Sequence, residues 1–423
     1  MNKIERFVYD KLKHNPAIKN AVRNVYQLFF DILPRPQNRS VAPIVVKEGY
    51  FFGFHDRSPF SSDMKKMLAN KSDLPIRMPL KGESLAVGYF DFSDGSIGEF
   101  HHIADSLSWN WHKGCRLQWL DDKHFAFNTE IDNVLKCCVI DIRDNSKRYL
   151  PHPIDTVSDD GKWATTFSYE RLNELMPGYG YEHCHDDGQL EINAPTTTGM
   201  FLMNMDSGER RMIVSLKELE NMSDDSDASN QRHYVTHSEF SKDGRYVSFM
   251  HRFIGKDYRK RTTFLYVFDL KDTRLFRLPT VGMVSHYCWN SRNQIIAYCS
   301  IAEGDAHVVF DIPSCKYKPV MLGRLNMDGH QSVVDENTFI SDTYPDKWRM
   351  ASIYSVNTLL DERRELAYIH SPKKYQTQDE HCHIACDLHP RMSVDKKFIS
   401  FDSVHTGKRS ICVMPYVNLF DKE

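Results

Sequence analysis

No Cys-x-x-Cys pair occurs in the chain, so a structural zinc knuckle is not expected. The ten cysteines do not space like a disulfide framework either. Cys137 and Cys138 are adjacent, and Cys288, Cys299 and Cys412 sit inside strand-like runs, as buried thiols do. A Gly-x-Ser-x-Gly elbow is also missing, which sets aside a serine-nucleophile peptidase. No run approaches the ~20 apolar residues of a membrane span. Neither charge sign dominates: Lys+Arg 54 against Asp+Glu 57 gives −3, so nothing suggests bulk attraction to nucleic acid. The opening stretch MNKIERFVYDKLKHNP is charged and lacks the apolar centre of a secretory leader, so a cytoplasmic location is expected.

What is present is an ordinary folded composition, 41% hydrophobic with 12% aromatic, the latter suiting a β-rich core. Two regions differ in periodicity. In residues 1–40, Ile4, Phe7, Val8 and Leu12, then Ile18, Val22, Val25, Tyr26 and Phe29, recur at helical spacing. Lys3, Arg6, Lys11, Lys13, Lys19 and Arg23 take the other face, and Pro16 divides the run into two helices. Pro34–Asn38 reads as a linker. Such an extension suits either a basic anchor resting peripherally on an anionic membrane or a helix pair packed on the protein's own body or on a sister subunit.

From residue 41 to 423 the period is that of strands. The clearest unit runs His237-Ser-Glu-Phe-Ser-Lys-Asp-Gly-Arg-Tyr-Val-Ser-Phe249 and recurs as His389-Pro-Arg-Met-Ser-Val-Asp-Lys-Lys-Phe-Ile-Ser-Phe401. It comprises a histidine, a short strand, a Ser-x-Asp turn and an alternating apolar strand. Weaker copies begin at His55, His112, His152, His286 and His330. Successive heads lie 57, 40, 85, 49, 44 and 59 residues apart, and the longest gap holds an insertion around Tyr169–Pro195. A four-stranded propeller blade takes ~40–50 residues. The expected fold is therefore an all-β propeller of seven blades with a short N-terminal helical extension; six or eight blades also fit the weak early copies.

Loops entering the inner strands of a propeller line one mouth of its channel, so the seven histidines should converge there. The clearer copies are C-terminal, which places the expected chemistry in that half. Gathered neutral imidazoles suit a divalent transition metal. Gln378-Asp-Glu-His381-Cys-His383, with His389 six residues on, is the densest candidate, because His381 and His383 face the same way on an extended chain.

Ser285–Trp289 (Ser-His-x-x-Trp), Gly329–Ser332 (Gly-His-x-Ser) and His389–Asp395 (His-Pro-Arg-x-Ser-x-Asp) resemble the oligogalacturonate lyase group of polysaccharide lyases, over roughly Val235–Met414. That resemblance implies a seven-bladed propeller holding Mn²⁺ at the channel mouth through three histidines and a glutamine, and cleaving uronates by β-elimination. It would place ligands at His286, Gln378, His381 and His383, and the general base at His237. His330 and His389 head their own copies and join the candidate ligands. If the ligands follow the repeat register instead, Asp387 and His389 replace Gln378 and His383. Arg252 or Arg232 would neutralise the substrate carboxylate. His55, Arg57, Trp111, His112, Tyr344 and Arg391 are candidate contacts for an acidic oligo- or polysaccharide. The segment Phe51–Phe60 also resembles proteins of bacterial surface-polysaccharide clusters.

Two other functions stay open on the sequence. One is a non-catalytic carbohydrate-binding or assembly propeller tethered by its N-terminal helices. The other, ranked lowest, is a glycosyl transferase: no nucleotide-binding βαβ unit is visible, and Asp121-Asp122 and Asp224-Asp225 fall in turns or loops.

Overall fold

The computed structural model describes residue 30 and residues 33–182, 185–186, 188–255, 261–377 and 382–420. The N-terminal helices expected over residues 1–33 lie outside the described residues, Phe30 and Leu33 apart. Among the described residues, no helix is long and apolar enough to cross a membrane.

Seven antiparallel sheets follow one another along the chain, as the repeat predicts. Blade 4 is the most regular: Arg232–Phe240, Tyr246–Ile254, Arg261–Asp269 and Arg274–Arg277 pair in sequence order. Its second strand is buried along its whole length, because both faces pack on neighbouring blades. Blade 3 is the reduced one, with three strands, Trp163–Thr166, Gly199–Asn204 and Arg210–Ser215, and a single bridge from Val157 to Ala164 in place of an inner strand. Its insertion, carrying the helix Tyr169–Leu175, fills the connection between the first two of those strands.

The Ser-x-Asp signature has a local cause. Ser241 Oγ donates to Asp243 Oδ1 (2.6 Å), Asp243 Oδ1 accepts from Arg245 N (3.0 Å), and Ser241 Oγ accepts from Tyr246 N (2.9 Å). Ser61–Asp63, Ser158–Asp160 and Ser393–Asp395 repeat the first bond at 2.6–2.7 Å. The residue after the Asp is left-handed each time, which glycine adopts without strain: Gly161 and Gly244, but also Met64 and Lys396.

The ring closes with a strand from the other end of the chain. Val45–Glu48 pairs with Ser410–Pro415 and becomes the outer strand of blade 7, while Arg39–Ser40 extends the outer edge of blade 6. Buried carboxylates stitch neighbouring blades together. Asp402 of blade 7 accepts from the backbone N–H groups of Phe52 and Gly53 (3.0 and 2.9 Å), which lead into blade 1, and Asp155 of blade 3 accepts from Ser238 N of blade 4 (2.9 Å). The described cysteines are all free, and most are buried, as expected.

Candidate functional site

Five of the seven head histidines meet around one side chain, and a sixth joins them. Phe54 stands on the axis, with the rings of His55, His237 and His389 at 4.6, 5.0 and 5.2 Å and those of His286 and His330 at 6.1 Å. His286 and His330 are 4.0 Å apart, His330 and His389 4.2 Å, and His112 joins His389 at 6.2 Å. The seam below, between Phe54, His55, Asp56, His237, Glu239 and Tyr287, is too narrow to admit a water molecule.

The repeat register explains which residues arrive. In blades 4 to 7 the histidine lies four residues before the one whose N–H closes the turn, as His237 precedes Ser241 and His389 precedes Ser393. Counting back likewise from Ser61, Leu120 and Ser158 gives Arg57, Arg116 and Ile154 in blades 1 to 3. His55 and His112 nevertheless reach the ring from earlier positions in their loops, so the site is not confined to the C-terminal half, contrary to expectation. His152 is the exception. Ile154 holds its register position, and His152 makes no ring contact with the cluster.

Most of these rings are anchored through Nδ1. His286 contacts Asp328 (3.2 Å), His330 contacts Asp342 (2.8 Å), His55 contacts the Gln331 carbonyl (2.9 Å), and His237 contacts Thr236 Oγ1 (2.9 Å). Where the partner is a carboxylate or carbonyl, an anchored Nδ1 fixes the tautomer and leaves the lone pair on Nε2; the Thr236 hydroxyl can donate to or accept from His237. His112 differs: both its ring nitrogens are buried without a hydrogen bond, as is His389 Nε2. Asp387 lies beside them, and ligand atoms of His112, Asp387 and His389 lie within 4.8 Å of one another. Orphaned buried nitrogens facing a carboxylate suit a cation.

Burial disfavours the charged form of His55, His112, His237, His330 and His389. The six histidines are between 2% and 5% exposed. Desolvation pushes His55 down to about 3 and holds His112, His237, His330 and His389 well below the usual histidine value. It pushes Asp387 up to about 6.

The blade 3 insertion roofs the ring. Tyr179 stacks on His112 (4.8 Å, 11°) and lies 5.8 Å from His237 and 5.7 Å from His383. Asn110 Nδ2 donates to the carbonyls of Tyr179 (3.2 Å) and Gly180 (2.9 Å). A Cβ on Gly178 would come within 2.3 Å of His383 Cβ, so only glycine fits there.

Arg252 is, after Lys113, the second cation acting on the proposed base. It is 5% exposed, and its guanidinium meets Met176 Sδ (3.1 Å), Met250 Sδ (3.3 Å) and the Val284 carbonyl (3.3 Å). No carboxylate pairs with it among the described residues, and its Nε is orphaned. Arg232 is placed differently. It pairs with Glu174 (3.0 Å) and lies five residues, ~16 Å of strand, from His237.

The other candidate contacts divide between rim and frame. Tyr344 is 46% exposed and lies 5.9 Å from His330. Arg57 is engaged by Asp159 (3.6 Å), Thr156 and the Val157 carbonyl. Arg391 is buried between Asp402 (3.0 Å) and the Gly53 carbonyl (3.1 Å) and joins blades 7 and 1. Trp111 packs under Arg409 (4.7 Å) at a cleft of about 280 Å³ that Glu48, Asp73, Tyr375 and Lys408 also line. Gln378 and His381 lie outside the described residues. Asp328, Asp342 and Tyr179 were not singled out from the sequence. Tyr179 sits in the visible insertion, whereas the two aspartates have no signature of their own.

No family model matches the chain, and no curated protein matches it. Among solved structures it is similar to an oligogalacturonate lyase from Vibrio parahaemolyticus, with a TM-score of 0.59 and 12% identity over 92% of this chain and 100% of that one. An oligogalacturonate lyase in complex with manganese gives a TM-score of 0.43 and 12% identity over 91% and 99%. The tricorn protease gives 0.47 and 11% over 90% of this chain and 34% of that one. At such identities the likeness shows the propeller fold and no more.

Proposed function

We propose that the chain is a metal-dependent lyase that cleaves a uronate-containing glycan by β-elimination at the mouth of its channel. The observation that carries this reading is Arg252, a buried guanidinium with no carboxylate partner among the described residues, acting on the neutral imidazole of His237. Burying an unpaired charge is costly, and an incoming carboxylate would offset that cost. The oligogalacturonate lyase that shares the fold is in keeping with the reading.

The donor set fits a divalent cation, manganese among them. His112, Asp387 and His389 would hold it, with His286 and His330 beside them. A bound cation would supply charge neutralisation for the substrate carboxylate. The chain's own residues do the rest. Arg252 binds the carboxylate and lowers the barrier to losing the C5 proton. His237, uncharged through burial and oriented by Thr236, takes that proton at Nε2. Tyr179 excludes water from above.

The test is elemental analysis of the purified protein, followed by the ultraviolet absorbance of unsaturated uronate products with acidic oligosaccharides. One tightly held divalent ion, lost in His389→Ala, is expected, with turnover abolished in His237→Ala. A protein that takes up no metal and releases no unsaturated product overturns the reading.

A second reading has an observation of its own. The cleft of about 280 Å³ at Trp111 and Arg409 is lined by none of the ring histidines. That arrangement suits a glycan-binding or assembly protein, which would bind acidic oligosaccharide and leave it intact.

A further inference from the structure

We infer that the corner Arg232–His233 of blade 4, with His251 behind it, is an acid-sensitive latch for the blade 3 insertion. The ring histidines are between 2% and 5% exposed, so ligands reach them only when a cover moves, and the insertion, which carries Tyr179, is one such cover. Both limbs of the insertion are tied to this corner. On the return limb, the Asn193 carbonyl accepts from His233 N (2.9 Å) and the Leu190 carbonyl accepts from Arg232 Nη2 (3.3 Å). On the helix, Glu174 pairs with Arg232 (3.0 Å) and Arg171 Nε donates to the His233 carbonyl.

The corner rests on two fully buried imidazoles with a defined proton arrangement. His233 Nε2 lies 2.8 Å from the Ala228 carbonyl, which can only accept, so in the neutral ring Nε2 carries the hydrogen and Nδ1 the lone pair. His251 Nε2 lies 2.8 Å from that Nδ1 and donates to it. His251 Nδ1 is then a second lone pair, buried without a hydrogen bond. Whichever ring takes the charge, a further proton leaves a hydrogen on His251 Nδ1 with nothing to accept it.

The surroundings favour the neutral pair. Burial is the main effect holding His233 and His251 below the usual histidine value. His233 itself and Arg277, which pairs with Asp224, add to it at His251. At His233 the Ala228 bond and Glu220 oppose it, and Arg171 and Lys217 reinforce it. The rings of Phe253 and Tyr266 close the remaining side. Acid therefore works against the closed corner. Its stabilisation is complete above the unfolded histidine value near 6.5 and is lost below it, by up to about tenfold in the opening equilibrium per histidine and pH unit. Lifting Ala228 and the end of the strand lets water reach the pair, and the same movement breaks the ties to Asn193 and Arg171. Asp186, at the start of the insertion's helix and raised to about 6, gains its proton in this range and acts in the opposite sense.

The experiment is hydrogen exchange on the full chain at about pH 7 and about pH 5.5, each rate divided by its intrinsic value, in wild type and His251→Gln. Glutamine can donate to His233 Nδ1 or accept from it, and it does not titrate. In wild type, residues 169–175 and 188–195 should exchange at least about tenfold faster at the lower pH, with Gln294–Ile301 of blade 5 unchanged. In His251→Gln the difference should shrink to within about twofold. An insertion equally protected at both pH values in wild type overturns the inference before any variant is made. An undiminished acid response in His251→Gln overturns it too, as does a loss of protection shared by every blade, which would assign the response to the whole fold. The lyase reading is decided separately, by metal content and unsaturated product.

Discussion

Asp342 Oδ1 lies 2.8 Å from His330 Nδ1, and the other oxygen of the same carboxylate accepts the backbone N–H of His389 at 3.0 Å. One side chain in blade 6 thus sets the ring orientation of one candidate ligand and the loop position of another in blade 7. Burial pushes the Asp342 carboxyl up, and its two backbone N–H bonds oppose the shift. Replacing it by Asn leaves one oxygen for three donors. Asp342→Asn should weaken manganese binding about 10–100-fold, read by metal titration with circular dichroism unchanged. Undiminished affinity would separate Asp342 from the site.

The ring also makes a prediction about pH. His55, His112, His237, His330 and His389 bind protons less readily folded than unfolded, mainly through burial. Their contribution to stability is complete above the unfolded value near 6.5 and is lost as pH falls toward their folded values. Each depressed histidine removes up to about 1.4 kcal/mol per pH unit below that point. Asp387, raised to about 6, acts in the opposite sense. The metal-free protein should lose Tm steeply between pH 6.5 and 4.5. Substituting His55 and His389 by Gln should flatten that slope.

Arg252 should trade stability for binding. Met at this position would fill similar volume among Met176 and Met250 without a buried charge. Arg252→Met is expected to raise Tm while abolishing binding of acidic oligosaccharide, measured by calorimetry. A variant that binds as well as wild type would remove Arg252 from carboxylate recognition.

Asp155 should prove structural. It accepts from Ser238 N and Oγ (2.9 and 2.7 Å) and pairs with Lys113 and Arg116 (both 3.3 Å), fully buried, with its pKa lowered by those two cations against the opposing effect of burial. Asp155→Ala would strand the buried Lys113, while Arg116 keeps Asp56 (2.6 Å), and should cost about 3–5 kcal/mol in denaturant unfolding.

The strand period, the Ser-x-Asp turn and the histidine heads made the propeller legible in the sequence, because each is a local pattern tied to one blade. The convergence of His237, His286, His330 and His389 followed from that repeat. His152 differs: it lies near a turn motif, but the closing hydrogen bond at Ser158 puts Ile154 in the register position that the histidines hold in blades 4 to 7. Asp328, Asp342 and the Phe54 axis were invisible for a different reason. Each acts on a residue of another part of the chain, and nothing in the neighbouring sequence marks it.

The strand Val45–Glu48, from near the start of the chain, completes a blade whose other strands come from its end. Blades 1 to 6 can be assembled as they leave the ribosome, but the gap beside blade 7 stays open until Ser410–Pro415 emerges. His389 is made last, and His55 waits on the far side of that gap. The proposed metal site would therefore be complete only once blade 7 is made, and a product cut short before His389 would carry the earlier sheets without the full histidine ring.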